Sequence, residues 1–427
     1  MSTIELDAVG RPARIAALRN DGLDLAEKLV AAVCLAYPFR IFLNEVTRID
    51  FHLGLVSFAL LAAVAIVTVR ARPIGFPTVL DGGILLFALV ALADLFLLTG
   101  ITALAVKGLS VECRFAAFYF VARLLGLRRV FLGWMFAAMA AVAVAEAVVG
   151  ALEYHLGWGT LLALCDRTWT PSFWKMGLPR LYSFAMDPLS VGYIFVFGLA
   201  GCIYLTCIDR RAWVVAALLA IWQALPLTLA RVPIAFALAM TVGFAILDHR
   251  RGSWFAKVSL LAITAAVCVY VARGMSQPLG TYAEVGGTLS DTSAMVHESA
   301  IRRGIARILE VPMGHGLGEA GLVALYGGGS FPVNETYYVT IGIQMGIPGL
   351  LAFLAVLAAS GALWIGFVRE HDAGLRGFGL GGGAVWLLLL SGGLFSGTWN
   401  MLVPQFYFWL LTGTAVNVAA ASRRNAS

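Results

Sequence analysis

Charge is what this chain has least of. Aspartate, glutamate, lysine and arginine make up 13% of its 427 residues, about half the ~25% usual in soluble globular domains. With 60% of the residues hydrophobic, the shortfall excludes a water-soluble single domain and points to an integral membrane protein. Cysteine is scarce as well. Five of the six cysteines fall in or beside apolar runs and none forms a CxxC pair, so they read as small apolar filler and not as a disulfide framework. The six histidines show no HxxxH or HExxH spacing, so no metal site is expected. The net charge of +6 comes without a run of like charge or a basic-aromatic patch. Nucleic acid is therefore not an expected partner, and the basic residues fit the cytoplasmic loops of a polytopic protein.

What the chain does have is long apolar runs. They fall near 29–44, 51–69, 80–99, 108–126, 130–150, 188–207, 212–230, 232–247, 255–272, 346–368, 377–396 and 401–421. They are continuous, not alternating, so the expected fold class is all-α: a polytopic bundle of about twelve transmembrane helices, not a barrel. Residues 1–28 form a polar N-terminal tail with no cleavage site of a secretory signal, 29–421 the bundle, and 422–427 a C-terminal tail. With the N-terminus inside, successive inner loops hold Arg70 and Arg72, Arg128 and Arg129, Arg210 and Arg211, Arg250 and Arg251, and Arg369 and Arg376. The tail ends with Arg423 and Arg424. That alternation predicts cytoplasmic N- and C-termini. The two long loops, 151–187 and 273–345, then lie on the outer face, where long loops are commonly functional. Aromatic residues of the first (Tyr154, Trp158, Trp169, Phe173, Trp174) suit an interfacial belt. No repeat of the transporter kind is visible.

The second loop holds most of the candidate chemistry. A helix is expected after Ser290, Asp291 or Ser293, ending at Pro312. Ile301, Ile305, Ile308 and Leu309 form one stripe, Arg303 and Arg307 lie opposite, and Glu298 is placed to pair with Arg302. The helix is amphipathic, lying on the bundle or the outer lipid surface. Its arginines either solvate that surface or clamp phosphate, for which the guanidinium fork is suited. Gly316, Gly318 and Gly321 match GxGxxG, but no strand precedes them, so a dinucleotide fold is excluded. A tight bend or an anion cradle remains. Arg231, in Pro226-Leu-Thr-Leu-Ala-Arg-Val-Pro233, sits at an outer membrane boundary, where an arginine either snorkels to the outer headgroups or, the favoured reading, serves an anion site in the bundle. Arg180 is a second outer cation, and Asp187-Pro188 reads as a helix cap. In Asn334-Glu335-Thr-Tyr-Tyr338, Glu335 at a low-dielectric interface is the first candidate general base; His297 and His315 are weaker ones. Glu112, Arg114 and Glu146 read as packing or pairing residues, with Arg114 able to extend a cationic cavity.

The order of these motifs is familiar: Arg180-Leu-Tyr-Ser-Phe…Asp187-Pro188, Thr228-Leu-Ala-Arg231, Glu310-Val-Pro-Met-Gly-His-Gly-Leu-Gly318, then Asn334-Glu335-Thr-Tyr-Tyr338…Gly346-Ile-Pro-Gly349. Over about 180–355 it resembles the superfamily of O-antigen ligases and O-antigen (Wzy-like) polymerases, polytopic bacterial membrane glycosyltransferases. The resemblance implies about twelve spans, a large periplasmic loop, undecaprenyl-diphosphate-linked glycans as donor and acceptor, and neither metal nor cofactor. It implies an inner-membrane protein with a periplasmic active site and a flippase or chain-length regulator as protein partners. Arg231 matches the family arginine that follows Thr-x-x, which implies a diphosphate contact, joined by Arg302, Arg303 and Arg180. Glu335 or His297 is then the base, and Tyr338, His315, Gly316 and Gly318 are the substrate contacts. Ligases carry a His-Asn pair at the later motif. Asn334-Glu335 here is closer to polymerases, so repeat-unit polymerisation is the expected activity. A ligase moving finished glycan to lipid or protein is the alternative, and a transporter the third reading.

Overall fold

A helix that is apolar on every side can rest only among other helices or in lipid, and both occur here. The structure is a computed structural model. It describes residues 23–39, 42–43, 77–156, 174–175, 178–185, 187–208, 211–272, 292–331, 336–395 and 401–424. The helices, in chain order, are α1 (Leu25–Ala36), α2 (Val79–Ala93, continued by a wider turn over Asp94–Thr99), α3 (Ala103–Leu124), α4 (Arg129–Leu156), α5 (Pro188–Cys207), α6 (Arg211–Ala224), α7 (Arg231–Leu247) and α8 (His249–Ala272). After these come α9 (Thr292–Glu310), α10 (Gly321–Gly327), α11 (Tyr337–Val368), α12 (Ala373–Phe395) and α13 (Leu402–Arg424). A minimal two-stranded ladder, β1 (Trp174–Lys175) against β2 (Leu178–Pro179), is the one departure from helix among the described elements.

Six described helical segments are long and apolar enough to cross a membrane: Val79–Thr99, Arg129–Glu153, Pro188–Cys207, Arg251–Val269, Tyr337–Val368 and Ala373–Leu394. The protein is thus a helical multi-pass membrane protein. Two further apolar helical stretches, Ala212–Thr228 and Arg231–Leu247, are shorter. The helix α3 is long enough, but Lys107, Glu112, Arg114 and Arg123 interrupt its apolar character. The run expected at 51–69 lies outside the described residues.

The helix α5 is the hub. It is buried along almost its whole length and packs on α4, α12, α6 and α7. Glycine permits the closest approach: a Cβ at Gly201 would strike the Phe136 carbonyl of α4, as small residues allow between membrane helices. The helix α2, by contrast, leaves Leu85, Leu86 and Leu89 exposed, a lipid-facing pattern.

The helix ends sort into two groups. Arg128 pairs with Glu27 at 2.6 Å, Arg129 with Asp372, Arg251 with the Cys207 carbonyl, and Arg376 with the Leu247 carbonyl at 2.9 Å. These contacts gather at one end the loops that precede α4, α8 and α12, with the start of α1 and the end of α5. We call it the basic end. Alternating helix direction then puts 180–188, 224–231, 94–103 and the start of α11 at the opposite end. Just inside the basic end, Arg123 bonds both oxygens of Asp81 at 3.1 Å, and Tyr119 adds a third bond to that carboxylate at 2.7 Å.

Two expectations change. The span expected to begin at 346 begins at Tyr337, because α11 runs through a break at Gly346 (φ 65°, ψ −165°). In α9 the buried seam is Ala300, Gly304 and Ile308, while Ile305 and Leu309 of the expected stripe are 48% and 67% exposed. The reason is Gly304, whose missing Cβ lets Val339 of α11 close in. The large side chains are left to face outward.

Asp372 lies outside the spans. Its partial burial raises its proton affinity, but the Leu375 N–H, the Arg129 charge and the Gly374 N–H outweigh that and hold its carboxyl below the usual range. The stability it contributes is therefore complete above the ordinary carboxylate value of about 4 and drains away as pH falls through the lower folded value. The expected result is a melting temperature in detergent that falls on the acid side in the wild type. Asp372→Asn lowers the neutral plateau and flattens that acid limb.

Candidate functional site

Two motifs far apart in sequence meet at the end opposite the basic one. Asp187 caps α5, accepting the Ser190 N–H at 2.8 Å, with Pro188 as first helical residue. Just before it the chain turns sharply. Ser183 has φ 43°, the left-handed region, and is fully buried. The turn lays the preceding residues along the link between α6 and α7. The Leu181 N–H donates to the Leu227 carbonyl at 2.8 Å, and Arg180 Nε donates to the Thr228 carbonyl at 2.9 Å.

The link has its own internal bracing. Leu225–Thr228 is a 3-10 turn, and the fully buried Thr228 hydroxyl bonds the Leu225 carbonyl at 2.8 Å and the Ala230 N–H at 3.2 Å. Leu229 then takes φ 50°, which redirects the chain so that α7 opens at Arg231. Gly192 of α5 leaves room for Pro233, whose Cγ would lie 2.9 Å from a Cβ there. Arg231 is thus the first residue of a helix whose Ala230 cap supplies no side-chain acceptor. The N-terminal helix dipole is positive, so an arginine there adds to the positive field. Arg180 is bonded to Thr228, three residues before Arg231, and we call the region that holds these two residues the arginine corner.

The glycine loop does something else. The His315 N–H donates to the Ile343 carbonyl at 2.7 Å, and the Gly316 N–H to the Gln344 carbonyl at 2.9 Å. The Leu317 N–H donates to Asp94 Oδ2 at 2.9 Å, and the Gly318 N–H to Gln344 Oε1 at 2.7 Å. Four successive N–H groups are engaged inside the protein, so this is the tight-bend outcome and not an anion cradle. Gly318 (φ 85°) lies so close to Gly108 and the Leu104 carbonyl of α3 that neither glycine position admits a Cβ. The acceptors belong to a buried polar chain. Gln344 Nε2 donates to Glu112 Oε1 at 3.0 Å, and the Tyr337 hydroxyl to Glu112 Oε2 at 2.6 Å. Arg114 Nε bonds Gln405 at 2.6 Å nearby on α3. The His315 ring lies 4.8 Å from that of Phe331, and its Nε2 is buried without a hydrogen-bond partner.

The remaining expected residues are spread out. Arg302 pairs with Glu298 at 2.6 Å and Arg303 contacts Ser299 at 3.4 Å, both exposed on α9. Arg307 pairs with Glu310 at 2.7 Å. The main packing partner of α9 is α11, whereas α7 packs on α8, α5 and α12. The described contacts therefore tie Arg180 to Thr228, three residues before Arg231, and do not draw Arg302 or Arg303 to that link. The Tyr338 hydroxyl donates to the Leu390 carbonyl of α12 at 2.6 Å, a helix-to-helix bond. Glu335 lies outside the described residues; His297 falls within α9, its side chain outside them. Asp94 and Gln344 were missed by sequence reasoning, since a single acid or amide in an apolar run carries no spacing signal.

Fold and geometry together define a multi-pass helical protein with an arginine corner at one end. No protein-family model matches the chain, and no curated protein matches it.

At Gly346 a Cβ would run into the Pro312 carbonyl and the Met313 backbone, and its φ/ψ is open to glycine alone. Gly346→Ala is expected to lower stability by about 1–3 kcal/mol and to release the 312–318 loop. Faster proteolysis at that loop, with α5 still protected, is the measurement; unchanged protection there contradicts the docking.

Proposed function

We propose that this chain polymerises lipid-linked oligosaccharide repeat units, as a member of the O-antigen ligase and polymerase superfamily. In this reading twelve spans leave both termini in the cytoplasm, and the arginine corner faces the periplasm of a bacterial inner membrane. The observation that carries the reading is the bond from Arg180 to Thr228 beside Arg231. Arginine is disfavoured on the outer face by the positive-inside rule, so two of them on one link there, away from the basic loop ends, suit an anionic ligand.

The chemistry follows from the donor. An undecaprenyl diphosphate is an activated leaving group, so the enzyme must hold it, stabilise its departing charge and take one proton. A hydroxyl of the acceptor glycan attacks the anomeric carbon of the donor. The bond from that carbon to the diphosphate oxygen breaks, and the diphosphate leaves with the electron pair. Arg231 and Arg180 stabilise the departing charge. Arg180 takes the place first expected for Arg302 or Arg303, because it is bonded to the link that leads into Arg231. Those two, exposed on an amphipathic helix, suit lipid headgroups better. The hydroxyl proton passes to Glu335, or to His297, as general base.

Arg231→Ala and Arg180→Ala in the host are each expected to cut long-chain polysaccharide by about a hundredfold, the scale of one lost charge-stabilising donor, with single lipid-linked repeats accumulating. Glu335→Ala should give the same pattern. Long lipid-linked chains that accumulate unattached would identify a ligase instead. Full-length polysaccharide from both arginine variants would end the assignment.

A further inference from the structure

Two acids of α4 have no part in the chemistry above. Glu146 and Glu153, with Gly150 between them, recur at spacings of four and three residues and so share one helix face. Glu146 is fully buried and Glu153 is 2% exposed. Both meet the turn that carries Arg180. The Ser183 N–H donates to Glu153 Oε2 at 3.3 Å, and the Phe184 N–H to Glu146 Oε2 at 3.1 Å. The Ser183 hydroxyl adds a bond to the Glu146 backbone carbonyl at 3.1 Å. A Cβ on Gly150 would strike Leu181, so this glycine leaves the gap in which Leu181 settles between the two acids.

Shape alone does not require this face. An apolar pair at 146 and 153 would fill the volume, whereas each carboxyl group keeps its Oε1 buried without a hydrogen-bond partner, which is unfavourable in a low-dielectric interior. What the acids provide is a pair of acceptors for the N–H groups that the turn removes from any helical ladder. A left-handed serine is itself unfavourable and persists only where its surroundings over-determine it.

We propose that Glu146 and Glu153 are positioning residues of the arginine corner, holding Ser183 in its left-handed turn and thereby fixing Arg180 against Thr228 beside Arg231. Its catalytic importance rests on reading that corner as the diphosphate site; the geometry does not.

The test is an oxidative cross-link in membranes of the full-length chain. Leu181→Cys and Leu227→Cys are combined, their backbones already being bonded, with each single variant as control. Adding Glu146→Ala or Glu153→Ala is expected to slow cross-linking about tenfold, the scale of one lost buried hydrogen bond, and to lower polymer yield with it. Glu146→Gln and Glu153→Gln keep an acceptor oxygen and should retain most of both signals, also where an alanine variant fails to accumulate. Ser183→Gly, free to adopt a left-handed turn, should restore cross-linking to Glu153→Ala. Cross-linking unchanged in both alanine variants, lost equally in the glutamine variants, or not recovered with Ser183→Gly overturns the inference. Full polymer from Arg180→Ala and Arg231→Ala, with cross-linking still dependent on the two acids, removes the diphosphate reading and leaves the positioning role standing.

Discussion

Backbone that leaves the helical ladder inside an apolar bundle must find hydrogen-bond partners, because neither lipid nor packed side chains supply them. That constraint explains where this protein keeps its few buried polar residues. The turn at Ser183 is met by Glu146 and Glu153, and the turn at Leu225–Ala230 by Thr228. The 312–318 loop is met by Asp94 and Gln344. Each interruption of helix is matched by a side chain whose acceptor faces the freed N–H groups. All three lie at the end opposite the basic loops. Among the described residues these three interruptions, and the polar groups that they need, lie together at one end.

The same logic separates the acids into kinds. Asp81, near the basic end, accepts from Arg123 and Tyr119 and closes a buried ion pair. Such a pair costs little once formed but is hard to break, since removing one partner strands the other. Glu112 accepts instead from two neutral donors, Tyr337 and Gln344, both from the first, buried part of α11. It therefore fixes that segment's rotation about its own axis. The segment begins at Tyr337, two residues after Glu335 in the sequence.

The helical, multi-pass class was legible because it follows from apolar run length. The Asp187-Pro188 cap, the helix stop before Pro312 and the Glu298–Arg302 pair all follow from local rules, and each is found as expected. The site was legible only in part. Arg180 and Arg231 were singled out separately, but nothing in 180–231 signals that Arg180 reaches back to Thr228, because that contact is made by a carbonyl and a carbonyl has no sequence signature. The α9 seam was misplaced for a related reason. Periodicity weighs large apolar residues, while the contact runs through Ala300, Gly304 and Ile308, where glycine is chosen for what it lacks. The Glu146-x3-Gly150-x2-Glu153 face was visible in principle. Spacing of two acids about a glycine in an otherwise apolar helix is a pattern worth reading as a seat for another segment.

A consequence concerns which parts can move. The arginine corner is braced on both sides: by α4 through Ser183 and Phe184, and by α5 through Gly192 and Pro233. The helix α9 packs mainly along a seam of small residues against α11; Arg302 bonds within its own helix, and Arg307 bonds Glu310 and lies over the Phe331 ring. Bonds between side chains on one exposed helix contribute a few tenths of a kcal/mol each, about 0.2–0.5. The loop helix is therefore the more loosely tied of the two cationic elements. A fixed corner suits a group that must be held in register during bond breaking. A helix with arginines on one side and exposed Ile305 and Leu309 on the other suits contact with a lipid surface, where apolar area and charge act together. The division of labour follows from how each element is held, whichever glycan the corner serves.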